Sequence, residues 1–364
     1  RWTAETPASQ GRLVFGALSS ISLWMAVGLA WWLPTRLRPA LLTVSAGYFA
    51  VIALLTPFLV IAPAYARPQM HMAGTPTAIW QEAGSSGAIG LDAARIITSN
   101  VRPESYAQME LDLQIVQPLS RNWSLFVHLV TPDGVIVEQR DVYPGGGRLA
   151  TSDLKAGDAW VNPVAVWLPI TAYAPMTLTV EAGWYDLASG ERLRLPDGRE
   201  TVSIGEIQLQ AREDDLGVPN PVRINFGHEI ELVGYALSDL SPAAGDTVTL
   251  TLYWRGLTTL TRDYKVFANI LDVPTLTKYA ASDGMPVNWQ APTSTWRPGV
   301  IIEDPHTLTV DPNAPAGMFS LEVGLYWQSP EGSLERLRVV TADGGMADNF
   351  IYLNRVRILP AETP

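Results

Sequence analysis

The sequence predicts a mainly β protein: two transmembrane α-helices forming a hairpin, followed by two tandem antiparallel Ig-like β-sandwich domains related by an internal repeat. Three observations carry this reading. Two long uncharged apolar runs lie near the N-terminus. Short alternating segments, cut by Gly, Pro and Asp turns, fill the remainder. Several of those segments recur at a spacing of 141 residues.

The first apolar run, Leu13 to Leu33, holds about twenty residues without a charge, enough at about 1.5 Å per residue to cross roughly 30 Å of hydrocarbon. The second goes from Pro39 to Ala66. These place helices at about 13–33 and 40–62 within a membrane unit covering residues 1–66. Between them, Leu33-Pro-Thr-Arg-Leu-Arg-Pro39 carries Arg36 and Arg38 and no acid, so the short loop 34–39 is expected to be cytoplasmic and both chain ends outside. Trp31 and Trp32 mark one interface and Tyr65 the other. Pro57 is expected to kink the second helix, because it has no N–H to donate. Gly16 with Ser20, and Ala46 with Ala50, are small residues four apart that suit close helix approach.

Past Ala66 the period changes from helical to two. In Thr247-Val-Thr-Leu-Thr-Leu-Tyr-Trp254, Val248, Leu250, Leu252 and Trp254 share one face and the threonines the other. Ala107-Gln-Met-Glu-Leu-Asp-Leu-Gln114 repeats the pattern 141 residues earlier. Trp123-Ser-Leu-Phe-Val-His128 matches Tyr264-Lys-Val-Phe-Ala-Asn269, and Gly183-Trp-Tyr185 matches Gly324-Leu-Tyr326, at the same offset. Thr151, Ser152 and Gly157 match Thr293, Ser294 and Gly299 at 142, which requires one inserted residue. The expected organisation is a linker over 67–86, a first sandwich over 87–211, an acidic linker over 212–222 and a second sandwich over 223–364.

Charge and composition exclude some chemistry. Residues 1–70 hold five of the 25 basic residues and one of the 36 acids, leaving 20 bases against 35 acids and a net charge of −15. Such a surface repels nucleic acid and anionic headgroups. There is no cysteine, hence no thiolate metal site and no cysteine nucleophile. The four histidines, His71, His128, His228 and His306, form no zinc-ligand spacing, so neither a metal nor a cofactor is expected. Pro144-Gly-Gly-Gly-Arg148 lacks the strand-to-helix context of a phosphate loop and reads as a flexible turn. Glu213, Asp214 and Asp215 lack the alternation of a calcium loop. No Gly-x-Ser-x-Gly elbow occurs, and no carboxylate pair stands out for glycoside hydrolysis, so no catalytic set is expected in this chain.

The functional signal is aromatic. Nine tryptophans fall after Ala66. Trp254 is inward by parity. Trp289 and Trp296 flank the loop-like Asn288-Trp-Gln-Ala-Pro-Thr-Ser-Thr-Trp296 and are candidates for stacking on a sugar. Phe126 with His128, and Phe267 with Asn269, set an aromatic beside a hydrogen-bonding side chain on one strand face and are candidates for the same contact.

Gln10-Gly-Arg12 before an apolar helix, and a closing Ile61-Ala-Pro-Ala-Tyr65, resemble the end of bacterial polytopic glycosyltransferases similar to the dolichyl-phosphate-mannose-protein mannosyltransferases, family 39 of the GT-C type. Asn225-Phe-Gly-His-Glu-Ile-Glu-Leu-Val-Gly-Tyr235, Asp263-Tyr-Lys-Val-Phe267, Pro292-Thr-Ser-Thr-Trp-Arg-Pro-Gly299 and Val323-Gly-Leu-Tyr326 resemble the β-rich C-terminal extension of some of these proteins. The resemblance implies that the chain is the C-terminal part of a longer enzyme in a bacterial cell membrane, positioning a glycan or acceptor outside the cell for transfer from a polyprenyl-phosphate sugar. It makes Arg12 a candidate for a lipid phosphate. In that family catalysis depends on an acidic residue in the first extracytoplasmic loop and on further membrane helices, neither of which is in this sequence. The alternative is a non-catalytic accessory or scaffold subunit that uses its β-domains for contacts with other membrane subunits.

Overall fold

The computed structural model describes residues 34–361 other than 65 and 215, together with Trp24, Met25, Val27, Gly28 and Trp31. Strands hold 47% of the chain and helices 12%, so the protein is mainly β, as expected. It divides into two compact units, Arg1–Arg67 and Pro68–Pro364.

In the first unit, helix α1 (Arg38–Thr56) opens with Pro39 in its first turn, where the missing N–H would have no partner anyway. It runs into a wide π-helical turn over Pro57–Ile61 and a last turn, α2 (Ala62–Ala64). Pro57 therefore does not end the helix. The Ala62 N–H reaches back five residues to the Pro57 carbonyl, so the turn that follows the proline is wide and the helix continues through it. Thr56 Oγ1 donates to the Ile52 carbonyl at 2.7 Å. Arg38–Ile61, 24 residues or about 36 Å, is long and apolar enough to cross a membrane, and among the described residues it is the one helix that is. Five positions of the other expected span, Trp24, Met25, Val27, Gly28 and Trp31, are helical. The rest of that span, with Gly16, Ser20 and Trp32, lies outside the described residues, as do Tyr65 and the Gln10-Gly-Arg12 motif.

The second unit holds four sheets, packed in pairs around two apolar clusters. The first pair joins β1 (Met70–Met72), β2 (Ala78–Gln81), β3 (Ala88–Ile96), β5 (Tyr106–Gln117) and β8 (Asp158–Trp167), ordered β1-β8-β5-β3-β2. Against them lie β4 (Asn100–Val101), β6 (Ser124–Val130), β7 (Ile136–Val142), β9 (Met176–Tyr185) and β10 (Thr201–Leu209), ordered β4-β10-β9-β6-β7. In the second pair, β11 (Pro221–Phe226), β12 (Ile230–Leu237), β13 (Thr247–Gly256) and β16 (Ile301–Thr309) run β11-β12-β13-β16. They face β14 (Tyr264–Asp272), β15 (Thr277–Gly284), β17 (Gly317–Gln328), β18 (Leu334–Arg336) and β19 (Ile351–Ile358), with β14 between β15 and β17 and with β18 and β19 both on β17. All pairings are antiparallel except that of β4 with β10.

Both pairs use one strand order. β8-β5-β3-β2 corresponds to β16-β13-β12-β11, and β7-β6-β9-β10 to β15-β14-β17-β19. Local pins correspond too. Thr151 Oγ1 accepts the Trp123 N–H at 2.9 Å and donates to the Arg121 carbonyl at 3.2 Å. Thr293 Oγ1 accepts the Tyr264 N–H at 2.8 Å and donates to the Arg262 carbonyl at 2.7 Å. The stretch expected as a linker over 67–86 carries β1 and β2, because Trp80, fully buried, fills the first core and Met70–Met72 completes the edge beside β8. β11 begins at Pro221, inside the second expected linker. The two sandwiches meet through Tyr235, whose hydroxyl donates to the Thr171 carbonyl at 2.6 Å, and Arg357, whose Nη1 donates to the Asp133 carbonyl at 2.9 Å.

Alternation sets the cores. In β13, Val248, Leu250, Leu252 and Trp254 are fully buried, as their parity requires. Strand β6 is buried along both faces. On its outer face Phe126 lies over Gly183 of β9, with the Arg192 guanidinium 4.9 Å from the ring centroid. Phe267 repeats this over Gly324, under Arg336 at 4.6 Å. A Cβ on Gly183 would run into the Phe126 ring and come within 2.6 Å of the Glu200 carbonyl. Overpacking of this kind costs about 1–3 kcal/mol, so Gly183→Ala and Gly324→Ala should each lower stability by about that amount in urea unfolding of the β region, with no change in m-value.

Candidate functional site

Most of the aromatic candidates are buried in the sandwiches. Phe126 and Phe267 are buried, each packed on a glycine of the neighbouring strand and under an arginine. Trp296, 5% exposed, belongs to the second core and donates its indole N–H to the Ala291 carbonyl at 3.0 Å. Asn269 is buried and donates to Glu322 at 2.7 Å. His128, its register counterpart, is buried against Phe126 and lines a cleft of about 500 Å³ between the sandwiches with Arg192, Glu200 and Arg357. Burial, reinforced by the Arg192 charge, pushes the His128 imidazolium down to about 4. Of the six sandwich candidates only Trp289 offers a free face, at 57% exposure. Arg12 lies outside the described residues.

Trp289 is displayed by an unusual piece of backbone. Val287, Asn288 and Trp289 all have positive φ, at 54°, 53° and 70°, forming one left-handed turn. The Trp289 N–H bonds the Met285 carbonyl at 3.1 Å and the Ala291 N–H the Pro286 carbonyl at 3.2 Å. The first sandwich builds the same turn from Pro144-Gly-Gly-Gly147, with φ of 62°, 65° and 83° and the equivalent bonds from Gly147 to Tyr143 and Leu149 to Pro144. Expected to be flexible, this loop is instead pinned: the Gly145 N–H donates to Asn162 Oδ1 at 2.8 Å. In the second sandwich the Val287 N–H donates to Asp304 Oδ1 at 2.6 Å. Glycine takes this conformation freely, whereas an L side chain costs roughly 1–2 kcal/mol per residue. The second sandwich therefore carries three side chains where the first shows that none are needed for the fold, and such strain concentrates at functional sites.

Asp304 is the centre of what those side chains cover. Fully buried on β16, its Oδ2 accepts the Trp254 indole N–H at 3.1 Å and lies 2.7 Å from His306 Nε2. The carboxylate fixes the His306 tautomer with the proton on Nε2, leaving Nδ1 as an acceptor. Nδ1 stands 3.1 Å from Ser282 Oγ, on the facing edge strand β15. The set is Ser282, His306, Asp304: hydroxyl, imidazole and orienting carboxylate. At the register-equivalent positions the first sandwich has Arg140, Val164 and Asn162, so it keeps the pin and lacks the rest. A pocket of about 270 Å³ opens on this set, lined by Ser282, His306, Asn288, Trp289 and Asp283 among others. Lys265 Nζ sits 5.4 Å from the Trp289 ring. Tyr326 donates its hydroxyl to Asp283 at 2.7 Å, and burial together with that carboxylate pushes the phenol up to about 12.

Sequence reasoning missed this set. Asp304 and His306 are two apart on one strand and so share a face, but Ser282 joins them only when β15 closes against β16. The legible signal was the alignment itself, which sets Val-Asn-Trp against Gly-Gly-Gly.

Removing the Asp304 carboxylate as Asp304→Ala orphans three buried donors and should cost about 3 kcal/mol in denaturant unfolding. Asp304→Asn keeps the Val287 pin through its Oδ1 but turns an amide NH2 toward the Trp254 indole N–H, and should cost about 2 kcal/mol. His128 gives a pH signature. Its folded value lies below the unfolded one of 6.5, so the unfolded chain binds the proton first and stability falls as pH drops from about 6.5 to about 4, then levels off. His128→Asn, which installs the residue of the second sandwich, should flatten that part of the stability–pH curve.

No protein-family model matches the chain, and no curated protein sequence matches it.

Proposed function

We propose that this chain is a membrane-anchored extracytoplasmic β region that holds carbohydrate on Trp289. On this reading it is the accessory, glycan- or acceptor-positioning part of a polyprenyl-phosphate-dependent membrane glycosyltransferase. Arg38–Ile61 pairs with residues 13–33 as a hairpin, loop 34–39 is cytoplasmic, and the sandwiches are two copies of one Ig-like unit on the opposite side. The observation that carries the reading is the exposed Trp289 indole, held at a backbone cost over a polar pocket beside Lys265 and Asp283. Aromatic faces flanked by hydrogen-bonding groups suit the apolar face and hydroxyls of a sugar ring. Six of the nine tryptophans after Ala66 are buried in the cores, and of the other three Trp289 is the most exposed. The resemblance of Asn225–Tyr235 and Pro292–Gly299 to the extension of family 39 enzymes supports the enzyme assignment.

A second reading, a scaffold subunit, draws on a different feature. Tyr106 and Trp167 are exposed and stack edge to face at 4.8 Å on the outer face of the first sandwich, a form of surface that protein partners also use.

Two measurements test the primary reading. Trp289→Ala should weaken binding of neutral and acidic oligosaccharides about threefold to tenfold, the worth of one aromatic face, and unchanged binding overturns the sugar assignment. Because the chain has no cysteine, single cysteines report its topology without background. A membrane-impermeant maleimide should label Ala188→Cys in intact cells and Thr35→Cys only after the membrane is opened; the reverse pattern overturns the orientation.

A further inference from the structure

We infer that Ser282 is a nucleophile and that the second sandwich carries an ester-cleaving site, with His306 as its base and Asp304 as its positioning residue. The substrate class is a short O-acyl ester on a carbohydrate, a choice that rests on the sugar reading of Trp289.

The geometry is that of an activated hydroxyl. Ser282 Oγ lies 3.1 Å from His306 Nδ1, and His306 Nε2 lies 2.7 Å from the fully buried Asp304. That is nucleophile, base and orienting carboxylate within hydrogen-bond reach in series. The roles of the two ring nitrogens are fixed by the carboxylate, which holds the Nε2 proton and leaves Nδ1 to receive that of Ser282. His306 is 5% exposed, and Ser282, partly exposed, faces the pocket of about 270 Å³, which suits a short acyl group and leaves the alcohol portion on the Trp289 side. Asn288 lines the same pocket and offers a side-chain amide to a carbonyl oxygen as charge develops there.

The first sandwich supplies the independent argument. It folds around the same pinned turn with glycines and with Asn162, Val164 and Arg140 in place of Asp304, His306 and Ser282. Turn, pin and core are therefore achieved without the three polar groups and without backbone strain. The second sandwich departs at all three polar positions and at all three turn positions together: Ser282, His306, Asn288 and Trp289 line one pocket, Asp304 orients His306, and the Val287 N–H ties the turn to Asp304.

The reaction balances without any further reagent than water. Ser282 Oγ bonds to the ester carbonyl carbon while its proton passes to His306 Nδ1. The carbon–oxygen bond to the sugar breaks and the alkoxide leaves with that proton. Water, deprotonated at the same nitrogen, then attacks the acyl-serine, releasing the carboxylic acid and returning the proton to Ser282.

The test uses the full chain in detergent, a fluorophosphonate probe with site identification by mass spectrometry, and 4-nitrophenyl acetate as substrate. A single adduct at Ser282 is expected, absent in Ser282→Ala, together with nitrophenol release that this variant loses. His306→Gln should slow both by about a hundredfold or more, the usual worth of a general base. Asp304→Asn keeps the turn pinned as Asn162 does, so it separates folding from catalysis; it should remain folded by circular dichroism yet label at least tenfold more slowly. No adduct at Ser282 in the wild type, or hydrolysis by Ser282→Ala at the wild-type rate, overturns the proposal. Oligosaccharide binding by a wild-type chain that gives no adduct overturns the nucleophile while leaving the sugar platform standing, so the two readings fail separately.

Discussion

A side-chain oxygen buried at the edge of each sandwich, from Asn162 in the first and Asp304 in the second, accepts the leading N–H of a left-handed turn. Backbone N–H groups in a sandwich edge have no ladder partner, and one left unpaired beside the core would cost as much as a lost hydrogen bond. By satisfying that group, the pin lets the chain leave one edge strand and cross to the facing sheet without opening the core. The threonines that follow, Thr151 and Thr293, then tie the crossing to the strand it passes. On the same side of the second sandwich lie the close approach of β15 to β16, the buried Trp296 and the exposed Trp289.

Replacing the amide by a carboxylate changes the electrostatics more than the geometry. An amide oxygen in this position needs only its donors. A buried carboxyl group needs donors on both oxygens, and Asp304 finds them in Val287 on one and Trp254 and His306 on the other. The histidine in turn brings Ser282. One change of atom in the pin thus organises a chain of polar groups from the core to the surface, where the first sandwich has Val164 and Arg140 beyond its pin.

Much of the fold was legible. Parity alone placed Val248, Leu250, Leu252 and Trp254 in the core, and glycine-rich turns separated the strands. The strands β1 and β2 were not legible as such, because three and four residues are too few for a period to emerge from a proline-bearing stretch. The site was harder. Phe126 and Phe267 are outward by parity, and Arg192 and Arg336, distant in sequence, help to cover them, a contact no local pattern announces. Trp296 was misplaced for a different reason: it aligns with Leu154, a buried core residue, and that comparison was available in the sequence. Trp289 aligns with Gly147, which is why it stands out.

The glycine turn of the first sandwich has a consequence for how the chain tolerates change. Gly146 and Gly147 face open space or only the end of Arg148, and their backbone already holds the conformation that Asn288 and Trp289 adopt. The first sandwich is in this sense an empty socket of the same shape, with its scaffold in place. New side chains there would meet a backbone penalty and little steric one, so the turn can take exposed residues on a scaffold the molecule already maintains.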